Sequence, residues 1–579
     1  MQIATRYSDP KDCDFPEQLD PLLWRIYQGR GVTRFDHLNR QLSCLPNPSA
    51  MQGMCAAVER LIVALKEKQA LTIVGDFDAD GATSSALMVL ALTAMGFTNV
   101  AFLVPNRFDY GYGLTPEIVD LAAQKTPDLI VTVDNGISSV EGVAHANSLG
   151  IDVIVTDHHL PGAVLPAAAA IINPNQPGCE FPSKNLAGVG VAFYLLSALR
   201  AELRLQNWFT DQKRVVPNMA NWLDLVALGT VADVVPLDQI NRALVYQGLL
   251  RIRSGRCRPG IQALLRIAGK NPKRLVATDL GFALGPRLNA AGRLDDISLG
   301  IQCLLTDDPE EAMTTARALD ELNQDRKSIE QDMQREALTI VEKLVFGTDT
   351  ELPSALCLFQ PDWHQGVVGL LASRIKEKYH RPVVAFARGD SGELKGSSRS
   401  ISGLHIRDAL DAVATQNPGL ITKFGGHAMA AGLSLVEGNL AAFEQAFQDQ
   451  VAKSLGEDDL QAKLVTDGSL ENHQLNIQTA ELLRDAGPWG QLFPEPCFEG
   501  EFVIVQQRIV GEKHLKLVLA PQNQPQLAID AIWFNIDTAA WPNQDAGLVR
   551  CVYRLDINEF RGQESLQLLV QHIQITCHQ

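Results

Sequence analysis

The sequence lacks the features that mark membrane proteins, secreted proteins and zinc ribbons. No segment approaches the roughly 18 consecutive apolar residues that a membrane-spanning helix needs, and the start of the chain lacks the basic and then apolar pattern of a signal peptide. The ten cysteines are scattered and form no Cys-x-x-Cys pair, so the sequence indicates neither a zinc ribbon nor a disulfide framework. We therefore expect a cytoplasmic protein.

The sequence also lacks an excess of positive charge, since 50 Lys and Arg residues face 67 Asp and Glu residues and the net charge is −17. This composition argues against a generally basic surface for nucleic acid. It does not exclude a local basic channel, because binding depends on where the cations lie. Residues 251–274 contain eight Lys or Arg and no Asp or Glu. Such a run is typical of a solvated basic face or of a surface that follows phosphates.

A chain of 579 residues is too long for a single hydrophobic core, so we expect several domains. Residues 308–345 contain no Gly, and their only Pro is Pro309 near the start, which predicts one long helix between two domains. Strand-like runs after residue 500 predict a small OB-like barrel, a fold that often binds single strands. The predicted fold class is α/β, with an N-terminal extension at 1–50, a parallel-sheet α/β domain at 51–306, the connecting helix at 307–346, a second α/β domain at 347–456 and the OB-like barrel at 465–579.

The segment Leu71–Ala82, LTIVGDFDADGA, organises the first α/β domain. A buried-strand pattern is followed by three carboxylates at alternate positions, Asp76, Asp78 and Asp80. These anions repel one another unless a cation lies among them, and oxygen ligands favour a divalent metal. The pattern also matches the start of an EF-hand calcium loop. However, Leu87 stands where that loop needs a Glu, and a strand pattern precedes the segment where the loop needs a helix.

Two further apolar strand patterns end in residue types that bind metals. The segment DLIVTVDNG places Asp134 just after a strand, and IDVIVTDHH places Asp157, His158 and His159 just after the next strand. Near-continuous apolar strands indicate a parallel sheet covered on both faces, and ligands of such sheets bind beyond the carboxyl ends of the strands. A solvated acidic turn would explain one such strand end. Three converging ends favour a binuclear metal site.

Other segments offer weaker signals. Asp233 follows the second apolar part of LDLVALGTVADVVPL and is a better fourth ligand than Asp224. Residues 185–196 are interpreted as a glycine-broken turn into a buried helix that serves packing. Several cations, rings and hydroxyls lie in Gly-rich segments and suit contacts with phosphates or bases, although a structural role explains each of them about as well when it is taken alone. They are Arg107, Tyr112, Arg287, Arg293, Ser397, Arg399 and His427.

Taken together, the motifs GDFDADG, VTVDNG, VTDHH and GTVAD resemble the four motifs of the DHH phosphoesterases. The segments VPNRFDYGYGL, WHQGVVGLLASRI, GSSRS and FGGHAMAAG resemble the RecJ family within that group. The resemblance extends over essentially the whole chain, including the long helix and the terminal barrel. It implies that residues 51–306 form the DHH catalytic domain and that residues 347–456 form the DHH-associated, substrate-binding domain.

The resemblance implies roles for individual residues near the metals. One metal ion would be held by Asp76, Asp78 and Asp134. A second ion would be held by Asp80, Asp134, His158 and Asp233, so that Asp134 would bridge both ions. His159 would lie beside the scissile phosphate, and Asp157 would orient the histidines as an outer partner.

The resemblance also implies how a DNA strand would be held. Arg107, Ser397 and Arg399 match positions that the family uses to grip a 5′-terminal phosphate. Tyr112 matches a position that stacks on a base. Arg287, Arg293 and His427 are expected near the substrate.

The activity implied by the resemblance is single-strand-specific 5′→3′ exonuclease action with two Mn²⁺ or Mg²⁺ ions, releasing 5′-mononucleotides in recombination and mismatch repair. The implied partners are single-stranded DNA with a 5′ end, a single-strand DNA-binding protein and a helicase, and we expect a monomer that does not contact membranes. One alternative is a phosphodiesterase of the same superfamily that acts on short oligonucleotides or cyclic dinucleotides. Another is a DNA-binding scaffold without metals. The basic run, the aromatic residues of VPNRFDYGYGL and the barrel favour a long polymer as the substrate. The complete set of expected metal ligands favours an enzyme.

Overall fold

The computed structural model describes residues 2–6, 13–105, 110, 113–346, 352–389, 392–538, 540–543 and 546–576. The chain divides into two compact units. The larger unit contains mainly residues 4–292, 296–319 and 465–579, and the smaller unit contains residues 293–295 and 320–464. Within the described ranges, no helix is both long enough and apolar enough to cross a membrane.

The strands and helices of the described residues follow one another along the whole chain. The strands are β1 (Gln2–Thr5), β2 (Leu71–Gly75), β3 (Val100–Leu103), β4 (Leu129–Val133), β5 (Asp152–Thr156), β6 (Ala170–Ile172), β7 (Leu356–Phe359), β8 (Val383–Arg388), β9 (Glu393–Arg399), β10 (Lys423–Gly426), β11 (Ala430–Val436), β12 (Lys463–Thr466), β13 (Phe498–Val510), β14 (His514–Pro521), β15 (Ile529–Trp533), β16 (Leu548–Phe560) and β17 (Gln563–Ile575). The helices are Pro21–Gln28, Met54–Glu67, Ala79–Met95, Pro116–Ala123, Val140–Ser148, Gly188–Leu205, Trp208–Asp211, Leu223–Ala232, Gln239–Arg253, Pro259–Ile267, Ala277–Asp279, Leu280–Leu284, Gly285–Leu294, Ser298–Leu305, Pro309–Phe346, Val368–Tyr379, Ile406–Gln416, Leu440–Ser454 and Ile477–Ala486.

A parallel sheet in the order β3-β2-β4-β5-β6 forms the centre of the larger unit. Every residue of β2 and β4 is buried, as near-continuous apolar strands predict. On one face, Ile118 and Val143 from two short helices join Ile130 and Val153 from the strands in one apolar cluster. Burial of these side chains holds the strands in parallel register, so the carboxyl ends of β2, β4 and β5 lie next to one another.

The helix Ala79–Met95 begins directly after the first acidic motif and is buried on nearly every side. Its small residues permit close approach of its neighbours. At Gly229, in the neighbouring helix Leu223–Ala232, a Cβ atom would lie 2.2 Å from the hydroxyl oxygen of Thr83. This packing fixes the motif between the sheet and the helix Leu223–Ala232.

The smaller unit contains a mixed sheet in the order β10-β11-β9-β8-β7, in which only β7 and β8 pair in parallel. Side chains alternate across this sheet, as the pleat of a strand requires. Phe386 packs on one face with Phe443 and Phe447 from the helix Leu440–Ser454, while its neighbour Ala385 packs on the other face.

The long helix Pro309–Phe346 carries Arg326 at a position where an apolar residue is expected. Arg326 is buried, and its Nη1 atom donates to Glu330 Oε2 at 2.5 Å. Glu330 also accepts a hydrogen bond from Arg374 Nε at 2.9 Å. Because the charge of Arg326 is paired, its long side chain can occupy an otherwise apolar seam.

The C-terminal strands form a closed barrel in the order β13-β14-β15-β17-β16. The pairing of β13 with β16 closes the ring, and β15 pairs with β17 in parallel while the other pairs are antiparallel. Phe498, Phe502 and Tyr553 fill the barrel with nearly complete burial. The predicted fold class is therefore confirmed: α/β units, a long helix and an OB-like barrel.

The N-terminal segment is tied to the barrel region by a buried ion pair. Asp467 accepts hydrogen bonds from both terminal nitrogens of Arg30, at 2.7 and 3.1 Å, and their side chains are 3% and 0% exposed. We expect Asp467→Ala to lower the free energy of unfolding by about 3–5 kcal/mol, because it leaves the Arg30 charge buried without a partner. Urea-induced unfolding would measure this loss.

The exposed ion pair between Arg34 and Asp36 supplies the control. Asp36→Ala breaks this pair in water, where ion pairs contribute little, and should leave the unfolding midpoint unchanged. Equal midpoints for both variants would contradict the role assigned to the Arg30–Asp467 pair.

Candidate metal centre

Three adjacent strands of the parallel sheet deliver acidic and imidazole side chains to one edge. Asp76 follows β2, Asp134 follows β4, and Asp157 follows β5, and these strands are neighbours in the order β2-β4-β5. Asp233 reaches the same place from the end of the helix Leu223–Ala232. The strand ends converge as the sequence predicts.

The side chains form overlapping groups that could hold metal ions. Asp76, Asp78 and Asp134 each offer an oxygen, and these atoms lie within 4.8 Å of one another. The same limit holds for the ligand atoms of Asp80, His158 and Asp233.

Asp134 links these two groups. His158 Nε2 lies 3.0 Å from Asp134 Oδ1 and 3.5 Å from Asp233 Oδ2. Asp134 also forms a third group of this kind with His158 and His159. The six predicted metal ligands are therefore brought together, and Asp134 occupies the position that a bridging ligand needs.

The acidic motif is shaped by the backbone around it. Asp78 caps the helix Ala79–Met95, since its Oδ1 accepts hydrogen bonds from the amides of Asp80 and Gly81 at 2.9 and 3.1 Å. A carboxylate at a helix N-terminus is stabilised by the unpaired amides and by the helix dipole. The cap fixes the turn that directs Asp76 and Asp80 toward the same centre.

Asp80 is fully buried and caps a second helix that begins far away in the sequence. Its oxygens accept hydrogen bonds from the amides of Gly188 and Val189 at 2.6 and 3.0 Å. The helix Gly188–Leu205 has no side-chain cap of its own. A Cβ atom at position 188 would lie 2.6 Å from the Cβ of Asp134, so only glycine permits this approach.

This role of residues 185–196 was not predicted from the sequence, in which the glycine-broken pattern indicates packing alone. The available signal was a helix start, Ala187-Gly188, that lacks the usual Ser, Thr, Asp or Asn cap. An uncapped and buried helix start needs an acceptor from elsewhere.

A second missed contact comes from the helix Gly285–Leu294. Asn289 Oδ1 accepts a hydrogen bond from the amide of Ala79 at 2.7 Å. A Cβ atom at Gly292 would lie 1.8 Å from the carbonyl oxygen of Phe77, so this helix lies directly on the acidic motif. The helix braces the backbone that presents Asp76, Asp78 and Asp80.

His159 is oriented by Asp157. Its Nδ1 atom lies 2.7 Å from Asp157 Oδ1, and the amide of Ile137 donates to the other oxygen of Asp157 at 2.9 Å. Burial lowers the pKa of His159, but the hydrogen bond to Asp157 and the surrounding carboxylates overcome this effect and raise its pKa to about 9. In the metal-free protein, these contacts favour a protonated His159, which suits a phosphate oxygen.

Burial and mutual repulsion raise the pKa values of three other carboxylates of the centre. Burial, and then the charge of Asp233, raise the pKa of Asp80 to about 7. Burial and the charge of Asp78 likewise raise the pKa of Asp233 to about 7. Burial and the charge of Asp80 place the pKa of Asp134 well above its ordinary value.

Two buried atoms of the centre, His158 Nε2 and Asp233 Oδ2, lack a hydrogen-bond partner within the described ranges. Burial, and then the nearby His159, lower the pKa of His158, which keeps its imidazole neutral and available as a ligand. A set of oxygens with one imidazole suits Mn²⁺ or Mg²⁺. The residues present therefore fit divalent cations.

Asp224 has a different environment and does not join the metal ligands. It is fully buried and accepts a hydrogen bond from the amide of Arg258 at 2.7 Å, which secures the start of the helix Pro259–Ile267. The preference for Asp233 over Asp224 thus agrees with the geometry.

The predicted DNA-contacting residues lie in several places. Arg287 lies in the larger unit, where its Nη1 atom donates to the carbonyl of Ala283 at 2.5 Å. Arg293 donates to the carbonyl of Gly366 at 3.1 Å. Arg107 and Tyr112 lie outside the described residues.

Ser397 and Arg399 lie at alternate positions of β9, and Arg399 Nη1 donates to Ser397 Oγ at 3.1 Å. A Cβ atom at Gly369, in the first turn of the helix Val368–Tyr379, would lie 2.9 Å from both side chains. His427 lies in the turn between β10 and β11, and β11 pairs with the end of β9. Burial lowers the pKa of Arg399, and no carboxylate among the described residues forms an ion pair with it.

Three of the eight cations of the basic run at 251–274 form ion pairs with acids. Arg258 pairs with Asp307, and Lys270 pairs with Asp279. Arg274 pairs with Glu559 and Glu564 of the barrel. These three cations therefore connect parts of the larger unit.

Comparison with protein families finds three matching models. The DHH family N-terminal domain matches residues 70–230, the DHHA1 domain matches residues 352–453, and the RecJ OB domain matches residues 466–572. The first match contains every residue of the metal centre except Asp233, which follows its end by three positions.

Individual relatives resemble the chain over nearly its whole length. It is 56% identical to the single-stranded-DNA-specific exonuclease RecJ of Escherichia coli K12 over 99% of both chains. A crystal structure of RecJ with Mn²⁺ from Thermus thermophilus matches 96% of this chain and 76% of that chain, with a TM-score of 0.77 and 30% identity. A structure of the same Thermus protein with Mg²⁺ matches 96% of this chain and 75% of that chain, with a TM-score of 0.72 and 27% identity.

Metal binding to the centre should depend on pH. Because the pKa values of Asp80 and Asp233 are raised to about 7, Mn²⁺ must displace protons below that pH, and its affinity should rise by about tenfold per pH unit for each proton displaced. Titration calorimetry in two buffers of different ionisation enthalpy should show proton release at pH 6.5 that falls as the pH rises above 7. Ionising these raised carboxylates also destabilises the metal-free fold as the pH rises from about 4 through 7.

Two variants make this measurement specific. Asp134→Asn should weaken Mn²⁺ binding by more than about 100-fold, because the shared ligand is lost. Asp152→Asn, at the opposite end of β5 and paired with Arg60 on the surface, should bind Mn²⁺ as the wild type does. Unchanged binding in Asp134→Asn would contradict the assignment.

Proposed function

Because this chain belongs to the RecJ family of the DHH phosphoesterases, we propose that it hydrolyses single-stranded DNA from the 5′ end and releases 5′-mononucleotides with two divalent metal ions, Mn²⁺ or Mg²⁺. The observation that carries the proposal is the convergence of five aspartates and one histidine at one strand edge, within a chain whose relatives over its full length are single-stranded-DNA-specific exonucleases. The OB-like barrel supports a single-stranded substrate.

The proposed ligand sets are Asp76, Asp78 and Asp134 for one ion and Asp80, Asp134, His158 and Asp233 for the other. When bound, such ions lower the pKa of water and stabilise the charge that develops on the oxygens of a phosphodiester. The protein's own side chains bind and orient the phosphate. Asp157 holds His159 in one orientation and keeps it protonated, so that it can donate to a phosphate oxygen.

We assign the 5′-terminal phosphate to the pocket formed by Ser397, Arg399 and the start of the helix Val368–Tyr379. A helix N-terminus offers unpaired amides to an anion, and Arg399 offers a charge that no carboxylate among the described residues neutralises. His427, at the neighbouring turn, completes this pocket in the proposal, and the family resemblance adds Arg107 as a further contact to the same phosphate. Tyr112, Arg287 and Arg293 are assigned to the bases and phosphates that follow.

The proposal includes the cellular setting that the family resemblance implies. The enzyme would act in the cytoplasm as a monomer, in recombination and mismatch repair, on ends that a helicase unwinds and a single-strand DNA-binding protein coats. Residues 51–306 would form the catalytic domain and 347–456 the substrate-binding domain, joined by 307–346.

End-labelled substrates test the reaction directly. On single strands of about fifty nucleotides with Mn²⁺, the 5′ label should appear early as a mononucleotide, while the 3′ label stays on long fragments. A duplex with blunt ends, a chelator or Asp134→Asn should abolish release. Survival of long strands alongside cleavage of dinucleotides or cyclic dinucleotides would overturn the proposal in favour of a small-substrate phosphodiesterase.

The 5′-phosphate pocket gives a second prediction. Arg399→Ala should lower the rate on 5′-phosphorylated strands by about 10- to 100-fold and bring it near the rate on 5′-hydroxyl strands, since a charge-assisted contact to phosphate is worth about 1.5–3 kcal/mol. Initial rates on the two substrates give this ratio.

Arg388 on the adjacent strand β8 is the matched control, because it already pairs with Glu437 at the surface. Arg388→Ala should leave the ratio of the two rates as in the wild type. A wild-type ratio in Arg399→Ala would show that the phosphate is recognised elsewhere.

A further inference from the structure

The helical segment that lies on the metal centre begins with an unusual turn. The amide of Gly285 bonds to the carbonyl of Leu280, which makes Leu280–Leu284 a π-helical turn. The chain then continues directly as the α-helix Gly285–Leu294. Such turns insert an extra residue and are frequent at functional sites.

This turn packs against the element that carries a metal ligand. A Cβ atom at Gly281 would lie 3.2 Å from Val231 Cγ1, and one at Gly285 would lie 3.2 Å from the Cβ of Ala232. Val231 and Ala232 form the last turn of the helix that ends just before Asp233. The π-turn is thereby placed next to the metal centre.

Phe282 lies between these two glycines and is not covered by the protein. Its side chain is 82% exposed, more than that of any other phenylalanine in the described ranges; the next is Phe560 at 66%. Phe282 precedes Asn289, which contacts the acidic motif, by seven residues. Helical residues rise by about 1.5 Å each, so the two positions are about 10 Å apart along the axis of the segment.

A second exposed apolar side chain lies near the π-turn. Val234 follows Asp233 directly, is 62% exposed and has a φ of +63°. The left-handed region is strongly disfavoured for a β-branched residue, so the surrounding fold must impose this conformation. Two uncovered apolar side chains therefore flank the element that carries Asp233.

We propose that Phe282 is a platform near the metal centre on which a base of the single-stranded substrate stacks, with Val234 contributing apolar surface. This inference rests on the proposed function. An exposed ring suits a base because every base has a π face, so stacking tolerates any sequence.

Stacking on Phe282 would also favour single strands over duplex. A base within a duplex is stacked and paired, so its face is available only after unpairing, which costs a few kcal/mol. A single strand offers the same face at lower cost. Phe282 thus adds binding energy for the substrate class on which the enzyme acts.

The test combines protein variants with abasic substrates. KM and kcat are measured for the wild type, Phe282→Ala, Phe282→Trp and the control Phe35→Ala, whose ring is 49% exposed in the N-terminal segment. The strands carry either natural bases or one abasic nucleotide at each of the first six positions. Mn²⁺ affinity by calorimetry monitors the metal centre.

We expect Phe282→Ala to raise KM by about 5- to 150-fold, as the loss of one stacked base predicts, with unchanged Mn²⁺ affinity and with recovery in Phe282→Trp. An abasic nucleotide at one position should raise the KM of the wild type similarly and have little further effect on Phe282→Ala. A wild-type KM in Phe282→Ala, or abasic effects that add fully to the mutation at every position, would overturn the inference. Failure of the wild type to degrade any single strand would instead contradict the proposed function.

Discussion

The mutual repulsion of buried carboxylates is the constraint on which this structure depends. Asp80, Asp134 and Asp233 lie within a few ångströms of His158, and Asp80 and Asp134 are almost excluded from water. In the metal-free protein, burial and this repulsion raise the pKa values of the three acids, and protonation relieves both. Divalent cations relieve the repulsion without protonation. The fold therefore holds together a group of carboxylates that bound divalent cations would stabilise.

The structure reduces the cost of burying these carboxylates because two of them also cap the N-termini of helices. Asp78 satisfies the first amides of the helix that follows it, and Asp80 satisfies those of a helix that begins at Gly188. Each carboxylate removes unpaired buried donors from a helix start and receives a favourable dipole in return. Replacing either acid would thus be expected to disturb helix packing as well as metal binding. The metal centre and the core therefore depend on the same side chains.

Local patterns in the sequence predicted the strands, the strand-end ligands, the long helix and the barrel, because each of these is encoded within a few consecutive residues. The partners of Asp80 were not predictable in this way. Gly188 lies 108 residues away, and its neighbourhood has the composition of an ordinary buried helix. The pairing of Arg258, Lys270 and Arg274 with distant acids was hidden for the same reason, which made the basic run resemble a phosphate-binding surface.

An acidic protein that binds a polyanion cannot rely on its overall field. The net charge of −17 repels a strand at long range, and three of the eight cations of the basic run already pair with acids. Under the proposed function, much of the affinity would therefore come from short-range contacts: metal ions at the strand edge, the buried charge of Arg399, and aromatic surfaces such as Phe282. Metal coordination and stacking are less sensitive to salt than counterion release. Under the proposed function, these contacts would recognise a strand by its end and its exposed bases.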